Sequence, residues 1–442
     1  MFWRNAMGNE LAINGGPKTV PDELPKPWPI ITQDDIDAVS GVLKRGIIWG
    51  PEAPEKTALE KEWADYCGTK YCIVTNSGTS AMHACVAGVG VETGDEVIVP
   101  AFTFWATAQA VLCQNAIPIF VDIDPVSYNI DPKKIEEKIT DRTRAIIVVH
   151  VHGLPCDMDE INAVAKKHGL TVLEDAAHAH GSIYRNKKAG NLGDMAMFSV
   201  NGTKNLPGGE GGLITTNNPD FYEKARLTCM FGEKKVPKGN IRPYDAHTMG
   251  NNYRPVEMTC AFVRSQLKRL DTYNRMRIEN VNYLNRELGK IKGIITPYEP
   301  PDRMNVYHIY RVKLDPEAAG YPDVDPEDFR WAVQNALFSE GVPVMEWHSF
   351  PVPGQKIFRN LDAYGKGCPW NCSHAREGIT YDQNDYPETQ KMFAASFVLY
   401  TIYASNRLEL MKRYVEAFHK VFDHLNEIAT DSKYYIRIRA NA

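Results

Sequence analysis

Residues 71–90, YCIVTNSGTSAMHACVAGVG, decide the architecture. A β-branched run, YCIVT, meets a Ser/Gly/Thr cluster and then a stretch whose apolar residues recur at helical spacing. The unit repeats along the chain. DEVIVP precedes FTFWATAQAVLCQ, IPIFVDI precedes PKKIEEKI, RAIIVVHVHG precedes DMDEINAVAKKHG, and LTVLEDAAHAHG closes the series. Near-continuous apolar strands alternating with amphipathic helices predict an α/β fold, a mostly parallel central sheet with helices on both faces.

Working outward, the pattern changes after about residue 255. The stretch VEMTCAFVRSQLKRLDTYNRMRIENVNYLNRELGKI (256–291) reads as a long, charge-studded helical stretch, enough to bridge two domains. Beyond it NVYHIYRVKLD reads as strand, PEDFRWAVQNALFSEG as helix and NRLELMKRYVEAFHKVFDHLNEI as a final helix, which makes a smaller C-terminal α+β domain. The expected organisation is an arm over 1–30, a large domain over 31–265 and a small domain over 266–442. A long ordered loop at 347–386, rich in Pro, Gly, Asn and aromatics, interrupts the last of these. Loops of that length usually serve a site or an interface.

Composition narrows the function. The 442 residues carry a formal charge of −5, with 43% hydrophobic and 24% charged residues. That is ordinary for a globular enzyme and gives no electrostatic reason to expect nucleic acid or an anionic membrane. No apolar run is long enough to cross a bilayer, and MFWRNAMGNELAINGG has no secretory pattern, so a cytoplasmic protein is expected. Nine cysteines, mostly single within apolar segments, fit reduced thiols. Cys368 and Cys372, with His374 nearby, do not match zinc-knuckle spacing, and a structural loop is the expected reading.

In sheets of this kind ligands bind beyond the carboxyl ends of the strands. Three polar features fall there. NSGTS after the first strand opens a helix, and the backbone around Gly78 and Thr79 with the helix dipole suits a phosphate. Glu174 and Asp175 end another strand and bring a carboxylate to the sheet edge. Lys204, in SVNGTKNLPGGEGGLITT (199–216), lies between two short strands and just before four glycines. A phosphate-binding P-loop has its glycines before the lysine and a helix after it, so the order here is reversed. Alone, each feature has an ordinary structural reading: a helix cap, a capping acid, a turn lysine. In this order they are the anchors that pyridoxal phosphate requires: a phosphate cradle, an acid for the pyridine nitrogen and an amine for the aldehyde.

The sequence resembles the DegT/DnrJ/EryC1/StrS family of sugar and cyclitol aminotransferases, within fold type I of the aspartate aminotransferase superfamily. The motifs that carry the resemblance are LAINGGP, NSGTSAM, GDEVIVPAFTFWAT, PIFVDID, GLPCDMDEI, EDAAHAHG, FSVNGTKNLPGGEGG and NNYR. It implies pyridoxal 5'-phosphate as cofactor, with pyridoxamine 5'-phosphate as its amine form. Lys204 would hold the cofactor aldehyde and serve as general base and acid, and Asp175 would partner the pyridine nitrogen. Ser199, with Gly78 and Thr79, would bind the phosphate. Asn252 of NNYR would reach the phosphate of a neighbouring subunit, which implies a homodimer with a shared site. Phe104 would stack on the ring, with Phe102 and Trp105 as neighbours in FTFWAT. His178 stands where the family often has Gln, near the phenolic oxygen.

Because Lys204 is not the His of the family's sugar dehydratases, the resemblance implies a transaminase. It would move an amino group from L-glutamate or L-glutamine to a cyclic ketone, a keto cyclitol or keto sugar, with LAINGGP similar to members that act on free carbocycles. Trp49, Arg254, Trp347 and His348 are candidate substrate-facing residues, Arg254 for the donor carboxylate. Two other functions would share the same anchors: a cofactor-binding sensor without turnover, and a pyridoxal-phosphate enzyme of another reaction type.

Overall fold

A computed structural model describes residues 10–236 and 240–436. The first part of the expected arm, residues 1–9, and the last of the expected small domain, residues 437–442, lie outside the described residues. The strands in chain order are β1 (Tyr71–Thr75), β2 (Glu96–Pro100), β3 (Ile117–Val121), β4 (Thr143–Val149), β5 (Thr171–Asp175), β6 (Ile183–Tyr184) and β7 (Lys187–Lys188). They continue with β8 (Met195–Ser199), β9 (Gly212–Thr216), β10 (Ile294–Ile295), β11 (Arg303–Met304), β12 (Tyr310–Leu314), β13 (Val344–Met345) and β14 (Ser396–Leu399).

Seven strands form the central sheet in the order β1-β9-β8-β5-β4-β2-β3. All run parallel except β9, which is antiparallel to both β1 and β8. The sheet is buried on both faces, and the two-residue period of a strand splits its side chains. Val97, Val99 and Ile147 join one core with the helix Gly78–Gly88, while Ile98, Ile146 and Val148 join another with the helix Met158–His168. The apolar runs of the sequence are continuous because each residue has a core to enter, whichever way it points.

A second, antiparallel sheet, β10-β12-β14-β13, carries the helices Pro326–Ser339 and Leu408–Asp423 over its own hydrophobic cluster. The strands β11, β6 and β7 make a small third sheet that spans the two sequence halves. The long helical stretch is made of two helices, Glu257–Leu267 and Leu270–Leu288. The chain breaks at Lys268 and Arg269, and Arg269 is held there by a hydrogen bond to the buried Asp35 at 2.6 Å. The first helix packs on Gln33–Arg45 and Pro54–Cys67, the second on Leu408–Asp423, so one straight rod would not serve both neighbours.

The stretch 347–386 lays Phe358, Trp370, Tyr381 and Tyr386 against Phe120 of β3 and the core on that side of the central sheet. Its polar ties run the same way. Tyr381 donates to the Pro118 carbonyl at 2.8 Å, and Cys368 donates its thiol proton to Asn115 Oδ1 at 3.3 Å. Its beginning, Trp347 and His348, is thereby brought to the carboxyl ends of the parallel strands, beside Phe102 and His152.

Candidate active site

The helix Gly78–Gly88 begins one turn beyond β1. Ser77 caps it, its hydroxyl oxygen accepting from the Ser80 amide at 3.1 Å. Strands β1 and β8 both pair with β9, whose Gly212 stands opposite Thr75 and opposite Ser199. This brings the helix start against the end of β8. A Cβ on Gly78 would lie 2.7 Å from Ser199 Cβ and 3.1 Å from its Cα, so only glycine lets the two approach. The result is a cradle of helix N-terminal amides beside the Ser199 hydroxyl.

Asp175 and Glu174 end β5 side by side but point to opposite faces, as neighbours in a strand must. Glu174 accepts from the Gly190, Leu192 and Gly193 amides at 2.7–2.8 Å and pairs with His150 Nε2 at 2.9 Å. It organises a loop. Asp175 is buried yet accepts only from Thr107 Oγ1 at 2.8 Å and the Ala177 amide at 3.2 Å. No basic group pairs with it among the described residues, and burial pushes its carboxyl above the usual range.

Lys204 follows β8 in a turn whose backbone is fixed from the N-terminal region: the Trp28 indole N–H donates to the Lys204 carbonyl at 3.0 Å. Burial lowers its ammonium to about 8, against the opposing pull of Asp175 and Glu210.

Around this lysine the structure gathers histidines. The His178 ring lies 4.4 Å from His308 and 5.4 Å from Trp347, centroid to centroid, and its Nδ1 accepts from the His152 amide at 3.3 Å. His178 therefore carries its proton on Nε2 when neutral. Burial, with the nearby Lys204 charge, holds both His178 and His308 well below the usual imidazole range. His348 is lowered to about 4 by burial and Arg311.

Of the three FTFWAT aromatics, Phe104 is half-exposed with the His348 ring at 6.0 Å, and Phe102 is buried edge-on to Trp347 and His152. Trp105 is partly buried against the central core. Asn252 is exposed beside the cradle loop; its carbonyl accepts from Asn76 Nδ2 at 3.3 Å. Trp49 and Arg254 form a separate cluster, the guanidinium standing 5.9 Å from the Trp49 ring and 4.9 Å from Phe231.

Sequence reasoning passed over Trp28, Thr107, His152, His308 and Arg311. Of these, His152 had a signal, a histidine just beyond an apolar strand in RAIIVVHVHG; the structure gives it a φ of 59°. Thr107 ends the FTFWAT motif and meets Asp175 within the central-sheet domain, whereas Trp28, His308 and Arg311 come from distant segments and become visible only once these close on that domain.

Residues 29–380 match the DegT/DnrJ/EryC1/StrS aminotransferase family. The chain belongs to that family. It is a pyridoxal-phosphate-dependent aminotransferase of fold type I. It is 42% identical to GDP-perosamine synthase of Caulobacter vibrioides over 58% of this chain and 68% of that protein. It is 33% identical to L-glutamine:scyllo-inosose aminotransferase of Streptomyces griseus over 72% of this chain and 77% of that one. A solved structure of 3-amino-5-hydroxybenzoic acid synthase superposes with a TM-score of 0.79 at 26% identity, covering 91% of this chain and 100% of that chain.

The residues present fit the family's cofactor. The Gly78–Ser199 cradle leaves no room for a side chain and presents amides and a hydroxyl to a phosphate. A buried carboxylate without a basic partner suits a protonated ring nitrogen, and a lysine of lowered pKa suits an aldehyde. Among the described residues no helix is long and apolar enough to cross a membrane.

Proposed function

We propose that this aminotransferase moves an amino group from L-glutamate or L-glutamine to a cyclic ketone, a keto cyclitol or keto sugar, in amino-sugar or natural-product biosynthesis. The observation that carries the reading is the convergence of the Gly78–Ser199 cradle, buried Asp175 and Lys204 at one end of the sheet, with histidine and tryptophan walls beyond them. The acceptor class is supported by relatives named for a GDP-linked sugar product and for scyllo-inosose.

The bound cofactor supplies an electron sink that stabilises negative charge at the carbon losing its proton. The chain does the rest. Ser199 and the amides at Gly78 and Thr79 hold the phosphate and fix the ring's position. Asp175, ionised against a cationic ring nitrogen and steadied by Thr107, keeps that nitrogen protonated. Lys204 would leave as a free amine when the incoming amine displaces it, a state its lowered pKa of about 8 favours, and would serve as the base that takes the proton from the substrate carbon and the acid that returns it. His178, with its proton on Nε2, would face the cofactor's phenolic oxygen, and Phe104 would stack on the ring. Asn252 completes the phosphate seat of a second subunit, so the working form is a homodimer. Trp347 and His348 border the acceptor, Trp49 and Arg254 the entrance from the partner side. Nine free cysteines, none in a disulfide, support a cytoplasmic setting.

The test is a half-reaction. Purified protein with bound cofactor is mixed with L-glutamine, L-glutamate or L-alanine, and its visible spectrum is followed. Conversion by one donor with release of its keto acid, followed by reversal with a keto cyclitol or keto sugar, is expected. A bound chromophore that no donor converts would sink the reading in favour of a sensor or another reaction type.

A further inference from the structure

Arg311 on β12 is almost wholly buried and has no acidic partner among the described residues; the same holds for Arg277 on the helix Leu270–Leu288. Arg311 spends its Nε–H on His152 Nε2 at 3.0 Å and one terminal nitrogen on Ser396 Oγ at 2.8 Å, and its other terminal nitrogen is unpartnered. A guanidinium can only donate. The Nε2 atom of His152 must then be the unprotonated nitrogen, and a neutral imidazole carries its proton on Nδ1.

That Nδ1–H is buried and has no acceptor among the described residues. A buried donor is rarely left unpaired unless something absent from the protein chain completes it. The ring lies 5.1 Å from Trp347 and 6.2 Å from His178, inside the histidine shell of Lys204. Its backbone holds φ at 59°, a strained value for a residue other than glycine, and strain of this kind collects at functional sites. The buried Arg311 guanidinium and the Lys204 ammonium are the charged groups that bear on this ring. They favour an anionic acceptor over a neutral hydroxyl.

We infer that His152 donates from Nδ1 to the α-carboxylate of the amino donor, and that Arg311 is the positioning residue that fixes this tautomer. The inference rests on the reading that Lys204 exchanges amino groups with an amino acid. It moves donor-carboxylate recognition away from Arg254, which stacks on Trp49 and Phe231.

The test uses the holoenzyme and two pairs of probes: L-glutamine against 4-aminobutanamide, and L-glutamate against 4-aminobutyrate. Each pair differs only by the α-carboxylate. Wild-type protein is expected to be converted faster by the amino acid. His152→Leu should cut that preference about tenfold to a hundredfold, by slowing the amino acid and not the amine. His152→Asn places an amide nitrogen where Nδ1 stood and should keep the preference within about threefold. Where His152→Leu fails to hold the cofactor, His152→Gln keeps a group toward Arg311, empties the Nδ1 position and should behave like it. Arg311→Met should reproduce the loss, and the double variant His152→Leu/Arg311→Met should lose no more than either alone.

An unchanged preference in His152→Leu or His152→Gln overturns the inference. So does an equal loss in His152→Asn, or an equal slowing of acid and amine. If neither amino acid converts the wild-type protein while a third donor such as L-alanine does, the donor assignment falls and the same comparison is run with L-alanine and ethylamine. If no amino acid converts it, the transamination reading fails and takes this inference with it.

Discussion

Trp28 donates its indole N–H to the backbone carbonyl of Lys204 across 3.0 Å, although 176 positions separate them. The same indole packs 5.5 Å from Tyr273 and 5.8 Å from Tyr403, with the Arg277 guanidinium 5.3 Å from its centroid. The N-terminal region thus sets the height of the reactive turn, and the aromatic stack fixes the indole.

Replacing Trp28 by Phe keeps most of the stack and removes the donor. One net hydrogen bond is worth about 1 kcal/mol, so cofactor retention or the donor half-reaction should weaken by about fivefold with the thermal midpoint little changed. Spectroscopic titration with added cofactor measures the first, stopped-flow absorbance the second. A variant indistinguishable from wild type in both would show that the contact does not position Lys204.

Asp175→Asn removes the carboxylate proposed to partner the cofactor's ring nitrogen, and turnover should fall by about 10²–10³-fold. A second readout comes from pH. In the cofactor-free protein, capture of added cofactor requires the neutral amine, so its rate should rise as pH rises through about 8 and then level off. The negative charge of Asp175 favours the protonated lysine, so removing it should move the inflection to lower pH. An inflection that stays put, or moves up, would mean that the two groups are not coupled.

Gly78→Ala meets Ser199 Cβ at 2.7 Å and its Cα at 3.1 Å, and the backbone contact cannot be relieved by a rotamer. Separating the helix start from β8 should cost about 1–3 kcal/mol of stability and open the phosphate cradle. Cofactor affinity should drop at least tenfold, while inorganic phosphate should lose its ability to compete. Crystallographic or calorimetric titration distinguishes this from a mere loss of fold.

Glu174 and Asp175 make a controlled pair. Glu174→Gln leaves the Gly190, Leu192 and Gly193 amides facing a neutral amide, and should destabilise the protein by about 1–3 kcal/mol. The visible spectrum of the bound cofactor should survive. If Glu174→Gln instead abolishes the spectrum at temperatures where the protein stays folded, the assignment of Asp175 over its neighbour is wrong.

Read alone, the sequence determined the central sheet, because strands covered on both faces must be apolar throughout and their helices must be amphipathic. It also singled out Lys204, Asp175 and the NSGTS helix start, because strand ends are where polar residues interrupt such runs, whereas Ser199 entered through the family resemblance. It marked 256–291 as helical but not the break within it, since helical periodicity carries no mark of the two different neighbours that the stretch must meet. The direction of Glu174 and Asp175 was equally hidden: both are strand-end acids, and only the register of β5 between β4 and β8 sends one to a loop and the other to the lysine. His152, His308, Arg311 and Trp28 belong to segments that meet when the second sheet and the N-terminal region close on the first. Their partners are set by contacts far apart in the chain, and local pattern does not encode those.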